Sequence, residues 1–390
     1  MNWYAVLTPV DTVFVRDGRP FEQTDEGLAQ ADSLFPAPQY VIAAAIRNAL
    51  AAQRPYASDD WKMDHDLQWL GDGPLAEGGT IRIGPALLAK SVGVVEELYY
   101  PCPAHLLRWQ EHDSSALLSP QCDQDDHDLG QGWGGIAFPA LERALQNPGN
   151  YSAYPDGFLT RQNFKSVLVG KRAECCTLKI MPSASVVSPQ TRVGLERSKS
   201  TRTAEDGMLY LATHQRFHSY KEDVSGEPTI WNYVASVSGP ADQLRGIGPG
   251  PVTVPFGGQG RAAHVRFVQQ DKVLKSGDCL DRIESDRLQH FTLVALSPVV
   301  ADALPDFTDI GTLVAVASPA PVLLSPWNYR DKRRGETRRA FASGTVFFLK
   351  GNGKPRELQA KLRHLRKSGI GDTDYHAIGY GQFSVGLWPG

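Results

Sequence analysis

Gly257-Gly258-Gln259-Gly260-Arg261 sets three glycines around one amide side chain and closes on a guanidinium. Glycine has no Cβ and reaches φ > 0, so successive N–H groups in such a loop can turn inward as an anion nest. Arginine at its end suits phosphate, which its planar fork grips through two hydrogen bonds. The competing reading is a tight turn before a strand, with Arg261 exposed. A second glycine-rich stretch, Gly369 to Gly381, closes on Gly379-Tyr380-Gly381. Both loops point to holding a polyanion.

The other cations fall in groups. Arg192, Arg197, Lys199 and Arg202 lie within 192–202, with hydroxyls among them. Few residues there could anchor in a core, which predicts either a basic finger that orders on RNA or a solvated loop. Arg16 and Arg19 flank the turn dipeptide Asp17-Gly18; they would hold phosphates or a partner's acid, or sit solvated at a hairpin tip. Arg47 lies inside an apolar helical stretch, and a buried arginine needs a partner, either a carboxylate such as Asp17 or RNA. Arg333 and Arg334 belong to a basic run beside Trp327 and Tyr329. Such a run fits single-stranded RNA, a protein groove or a plain exposed hairpin.

Bond-breaking chemistry has fewer candidates. Metal-free RNA cleavage needs a histidine near the 2′-OH and the leaving oxygen. His214 and His218 would share one face of a strand, and His376 lies beside the last glycine loop. Histidine on a strand is more often structural, so no catalytic residue is expected. The cysteines (102, 122, 175, 176 and 279) show no CxxC pair, even with Cys102 near His105 and Cys122 near His127. No metal, cofactor or disulfide framework is expected.

Net charge is −3 over 390 residues, but its distribution is uneven. Residues 1–150 carry 9 Lys+Arg against 21 Asp+Glu, whereas residues 327–367 carry 13 against 3. That asymmetry suits a polyanion on one side and a protein on the other, or chance clustering on solvated faces. With 42% hydrophobic and 21% charged residues the composition is globular, and no stretch approaches the ~20 apolar residues of a membrane span. The start, Met1-Asn2-Trp3-Tyr4, enters a strand pattern directly, without a signal-like core, so a cytoplasmic protein is expected.

These side chains need a scaffold. Strands are expected at 3–7 and 13–15, a helix over 40–52 after Pro38, and a second, acidic helix over 59–70. The second half repeats one order: strand (231–237), short helix (240–245), glycine-rich loop (246–260), strand (262–268); then strand (344–349), helix (355–367), glycine-rich loop (369–381), strand (383–388). That order is the closing half of a βαββαβ unit. Phe291 to Leu296 would open the second copy. The expected fold is α+β: two tandem ferredoxin-like (RRM-like) domains with long insertions, at 1–285 and 286–390.

Five segments in order resemble the RAMP superfamily of CRISPR proteins, and within it the third subunit of type III-B (Cmr) effector complexes. They are Phe14-Val15-Arg16-Asp17-Gly18-Arg19-Pro20-Phe21; Leu34-Phe35-Pro36-Ala37-Pro38 with Ala45-Ile46-Arg47; Gln190 to Leu195 leading to Gly207-Met208-Leu209-Tyr210; Pro255 to Arg261; and Ala342 to Phe348 with Gly379 to Phe383. Gln259 stands where the family's LGGE-x-R loop has an acid. The resemblance implies a non-catalytic RNA-binding subunit that holds the 5′ repeat-derived tag of the crRNA. Its implied partners are the large polymerase-like Cmr subunit and the backbone RAMP subunit, with no membrane. The alternatives are a metal-independent RAMP endoribonuclease that processes crRNA, the equivalent type III-A or III-D subunit, or a scaffold that binds mainly its protein neighbour.

Overall fold

Tyr4, Ala5, Val6 and Leu7 are all buried, so the first strand reads as an unbroken apolar run rather than an alternating one. A strand covered on both faces has that signature, and its place in the sheet is central. The computed structural model describes residues 2–16, 29–54, 64–92, 95–109, 115–120, 139–140, 151–170, 178–198, 200–218, 229–248, 250–270, 279–280, 290–328 and 333–388.

In chain order the elements that matter begin with β1 (Asn2–Pro9), β2 (Thr12–Val13), β3 (Ala29–Asp32), α1 (Gln39–Ala52) and β4 (Leu87–Val92). Next come β5 (Gly157–Thr160), α2 (Arg161–Val169), β6 (Val187–Arg197), β7 (Ala204–Phe217) and β8 (Thr229–Ser238). Then follow α3 (Ala241–Arg245), β9 (Val252–Pro255), β10 (Ala262–Gln270), β11 (His290–Ala295) and β12 (Gly311–Ala317). The last are β13 (Trp327–Asn328), β14 (Arg333–Arg334), β15 (Val346–Gly351), α4 (Pro355–Ser368) and β16 (Phe383–Leu387).

The chain forms two units. The first comprises residues 1–96, 183–273 and 323–338. Its main sheet runs β4-β8-β1-β10, with β9 outside β10, and every described pairing is antiparallel. Helix α1 buries Ile42, Ala43, Ala45, Ile46, Ala49 and Leu50. It starts after Pro38, where a missing N–H costs nothing. Just before it, the Ala37 N–H donates to Tyr233 Oη (3.0 Å) and ties the 34–38 segment to the sheet.

Between β4 and β8 rises a long hairpin, β6–β7, paired from Val187↔Phe217 to Leu195↔Leu209 and, past an irregularity, at Arg197↔Ala204. Residues 192–197 are therefore paired strand, and the described residues between Arg197 and Ala204 form the hairpin's turn. Regular cross-strand bonding supplies the order that its side chains could not. Strand β2 pairs with β7 antiparallel and β3 pairs with it in parallel, which carries the 12–16 segment onto the hairpin's base.

The second unit comprises residues 97–182, 274–322 and 339–390. Its sheet order is β12-β15-β11-β16, and Phe291, Leu293, Phe347, Leu349, Leu358, Leu362, Phe383 and Val385 fill its core. Residues 296–310, between β11 and β12, hold bends, turns and a two-residue strand but no helix. Helix α2, from the 97–182 segment, packs on β16 instead: a Cβ at Gly170 would stand 2.5 Å from the Leu387 carbonyl oxygen.

Several expectations are corrected. A single boundary near residue 286 gives way to interleaved units, because residues 97–182 find their packing surface in the second unit and 323–338 in the first. The strand over 13–15 is only Thr12–Val13. The described part of the acidic 59–70 stretch is a 3₁₀ helix, His65–Leu70. The 246–260 loop contains β9, and the 369–381 loop contains a 3₁₀ helix, Thr373–Ile378.

Candidate nucleic-acid interface

The glycine turn between β9 and β10 is built against the segment that follows β2. The Gly258 N–H donates to the Phe14 carbonyl (2.7 Å), and the Phe256 N–H donates to the Arg261 carbonyl (2.8 Å). At Gly257, with φ +86°, a Cβ would come within 2.6 Å of the same Phe14 oxygen. Gly257 thus serves close approach between two chain segments, and the Gly258 N–H, expected to face a phosphate, is taken by the Phe14 carbonyl. Gly260 differs: φ is +68° and a Cβ there would meet nothing within 4 Å.

Around this turn the fold gathers charge. Asp11 Oδ2 accepts from Arg261 (2.7 Å) and from Arg192 (3.0 Å), 250 and 181 residues away in sequence. The Arg192 hydrogen bond is the main cause holding the Asp11 carboxyl below its usual range, with the Thr12 N–H and the Arg261 charge adding to it. Two guanidinium groups on one carboxylate leave a positive surplus at a half-exposed edge. Exposed ion pairs of this kind are weak, about 0–1 kcal/mol each, so a phosphate can compete for either arginine.

Behind the pair lies a buried polar chain. His214 is fully buried. Its Nδ1 is 2.9 Å from Thr12 Oγ1 and its Nε2 is 2.8 Å from Gln259 Oε1, while its ring stacks on Phe14 at 4.8 Å. Burial, reinforced by the Arg192 and Arg261 charges, pushes its pKa down. A histidine with both nitrogens engaged and no solvent access is a spacer between β7 and the glycine turn. Gln259 itself holds a left-handed backbone, φ +54°.

Beside these groups opens a cavity of about 340 Å³, lined among the described residues by Phe14, Arg16, Ala31, Tyr210 and Gln259. Tyr210 lies opposite Gly194 across the hairpin, and a Cβ at 194 would stand 2.0 Å from its Cζ. The two residues come from the segments that carried the family resemblance.

The predicted residues scatter more widely. Arg192 and Arg261 meet on Asp11, and Arg16 lines the cavity beside Gln259. Arg202 is exposed at the hairpin turn with φ +58°; Arg197 sits on β6 beyond its irregularity. Arg19 and Lys199 lie outside the described residues, as does the Cys122 and His127 pair. Arg333 and Arg334 form a short ribbon with Trp327 and Asn328, in the register Trp327↔Arg334, both side chains exposed. Arg47 is 2% exposed and donates to the carbonyls of Gly71 and Gly73 (2.7 Å for Gly73). Burial pushes its pKa down to about 10, opposed by the Glu77 and Asp72 charges. Gly379 and Gly381 are buried in the second unit, and a Cβ at Gly381 would stand 2.2 Å from the Ile370 carbonyl. Close packing calls for the glycine at 381, and the left-handed backbone that ends the Thr373–Ile378 helix, φ +92°, calls for the one at 379.

Asp11, Thr12, Phe14 and Tyr210 escaped the sequence reading as site residues. Phe14 and Tyr210 were present in the quoted motifs, but nothing local pairs Asp11 with two distant arginines. Among the described residues no group of three His, Cys, Asp or Glu could hold a metal ion, and no helix is long and apolar enough to cross a membrane.

Fold and site together define a mixed, mostly sheet α+β protein that gathers arginines beside an aromatic-walled cavity. The model of the CRISPR-associated protein (Cas_Cmr3) family matches residues 5–388, and the chain belongs to that family. It is therefore a CRISPR-associated protein of the Cmr type. No curated protein matches it. Among solved structures it resembles a chain of the type III-B Cmr-beta complex bound to cognate target RNA and AMPPnP, at 17% identity and TM-score 0.47, over 97% of this chain and 94% of that one. A second Cmr-beta structure, bound to cognate target RNA, gives 17%, 0.46, 97% and 95%. A chain of the type III-A Csm3-Csm4 subcomplex gives 11%, 0.36, 91% and 94%. At these values the family match carries the assignment.

Proposed function

We propose that this subunit is a non-catalytic holder of the crRNA 5′ tag that also docks the large subunit of the complex. The observation that carries the reading is the convergence of Arg192 and Arg261 on Asp11, beside a cavity walled by Phe14, Tyr210 and Arg16. Guanidinium groups at a backbone-sized edge with aromatic rings next to them is the chemistry of single-stranded RNA binding. The strand orders β4-β8-β1-β10 and β12-β15-β11-β16 support ferredoxin-like units: numbered within each unit, both read 2-3-1-4. The second lacks the helix after its first strand. The buried, doubly bonded His214 favours a holder over a nuclease. The acidic 1–150 segment favours a protein-facing role there, and the reading places the subunit in the cytoplasm.

The test is a salt titration of crRNA affinity with Arg192→Ala, Arg261→Ala and the double variant. Each lost phosphate contact should lower the log K against log[salt] slope by roughly 0.7. A double variant with the slope of the unaltered chain removes this edge from the RNA path.

A further inference from the structure

The cavity beside Gln259 offers three unlike contacts. Tyr210 presents a flat ring that Gly194 allows to lie across the hairpin, Arg16 brings a cation, and Gln259 brings an amide. An unstacked nucleobase is recognised by that combination: its face stacks on an aromatic ring, its edge takes a hydrogen bond, and its phosphate meets positive charge. At about 340 Å³ the cavity falls at the lower end of small-ligand pockets, about 300–1,000 Å³, which suits one nucleoside and no helix.

Gln259 is oriented before any ligand arrives. With the proton of His214 on Nε2, the ring donates to Gln259 Oε1 (2.8 Å), and the Thr12 hydroxyl donates to Nδ1 (2.9 Å). The amide oxygen is thereby occupied, and the NH₂ group, which no described residue bonds, is the end left for a ligand. A fixed NH₂ donor pairs with a carbonyl such as uracil O4 or guanine O6. The discrimination lies at the 4-position of a pyrimidine or the 6-position of a purine, where the amino group of cytosine or adenine would set donor on donor. The left-handed backbone at Gln259 is a position that glycine would fill without strain, so the side chain is what the turn keeps there.

We infer that this cavity takes a single keto-bearing base, uracil or guanine, from single-stranded RNA. Gln259 determines specificity, Tyr210 is the stacking platform and His214 is a positioning residue. The inference rests on the RNA-holding reading above and deepens it. Because Gln259 bonds the base and Tyr210 stacks on it, the two residues separate selectivity from affinity.

The test titrates the full chain with short labelled oligouridine and oligocytidine RNA at fixed salt. The chain should bind oligouridine about 5-fold more tightly, the value of one neutral hydrogen bond. Gln259→Glu should reverse the order, since a carboxylate accepts from cytosine N4. Tyr210→Ala should weaken both about 10-fold or more, whereas Tyr210→Phe keeps both. His214→Phe should abolish the uridine preference while leaving the affinity for oligocytidine unchanged; equal weakening of both oligomers would reduce His214 to a structural role and overturn its assignment. Equal binding of both oligomers, with the ratio unmoved in Gln259→Glu, overturns the pocket and leaves the RNA-holder reading standing. Failure to bind either oligomer or crRNA overturns both.

Discussion

Gly194 and Tyr210 face each other across the β6–β7 hairpin, and a methyl group at 194 would stand 2.0 Å from the ring carbon Cζ. The glycine is what allows the ring to reach the cavity wall. Alanine is normally the better strand residue, so Gly194→Ala should cost little stability. It should displace the ring and weaken RNA binding as much as Tyr210→Ala does. The Gly194→Ala/Tyr210→Ala pair should then be no weaker than either single variant in a double-mutant cycle; additive losses would separate the two residues.

Arg47 makes the opposite case, a buried cation held by backbone carbonyls. Its guanidinium satisfies the Gly71 and Gly73 carbonyls inside the first unit. Arg47→Met should leave both oxygens without a donor and cost about 2–4 kcal/mol in denaturant unfolding. The salt slope of RNA affinity should not change. A lower slope at full stability would put Arg47 back among the RNA contacts.

His105, buried in the second unit against the Phe348 ring, gives the fold an acid limit. Burial pushes its pKa down to about 4, against about 6.5 in the unfolded chain. Above pH ~6.5 it is neutral in both states and costs nothing. As pH falls from about 6.5 to about 4, the unfolded chain takes up a proton that the folded chain refuses, and stability drops by up to about 3 kcal/mol. His105→Leu should flatten the stability-against-pH curve in that window; parallel curves for the two proteins would contradict the assignment.

His214 should not behave as a general base. Repeat RNA incubated with the purified chain in EDTA should stay intact, and His214→Ala should change binding rather than cleavage. Specific cleavage that His214→Ala abolishes would make the protein a nuclease.

Local signals were legible in the sequence wherever periodicity and punctuation coincide. The Ala-rich run after Pro38 became α1, and the apolar blocks at 231–237, 262–268, 346–349 and 383–387 became sheet strands. The glycine turn at 257–260 was visible, but its partner was not: whether its N–H groups face a phosphate or the Phe14 carbonyl depends on a contact some 240 residues long in sequence. For the same reason Arg192 and Arg261 read as separate basic groups, although Asp11 joins them. Arg47 showed that it needed a partner, yet backbone carbonyls carry no sequence signature. The interleaving of the two units was hidden because it depends on which surface α2 covers.

The most direct measurement is photocrosslinking in the assembled ribonucleoprotein, with 4-thiouridine placed at each position of the crRNA tag in turn. A tag held by this subunit should crosslink to peptides containing Phe14 or Tyr210 from at least one position, and Tyr210→Ala should remove that product. Tag crosslinks that fall only on other subunits, with none on this chain, would contradict it.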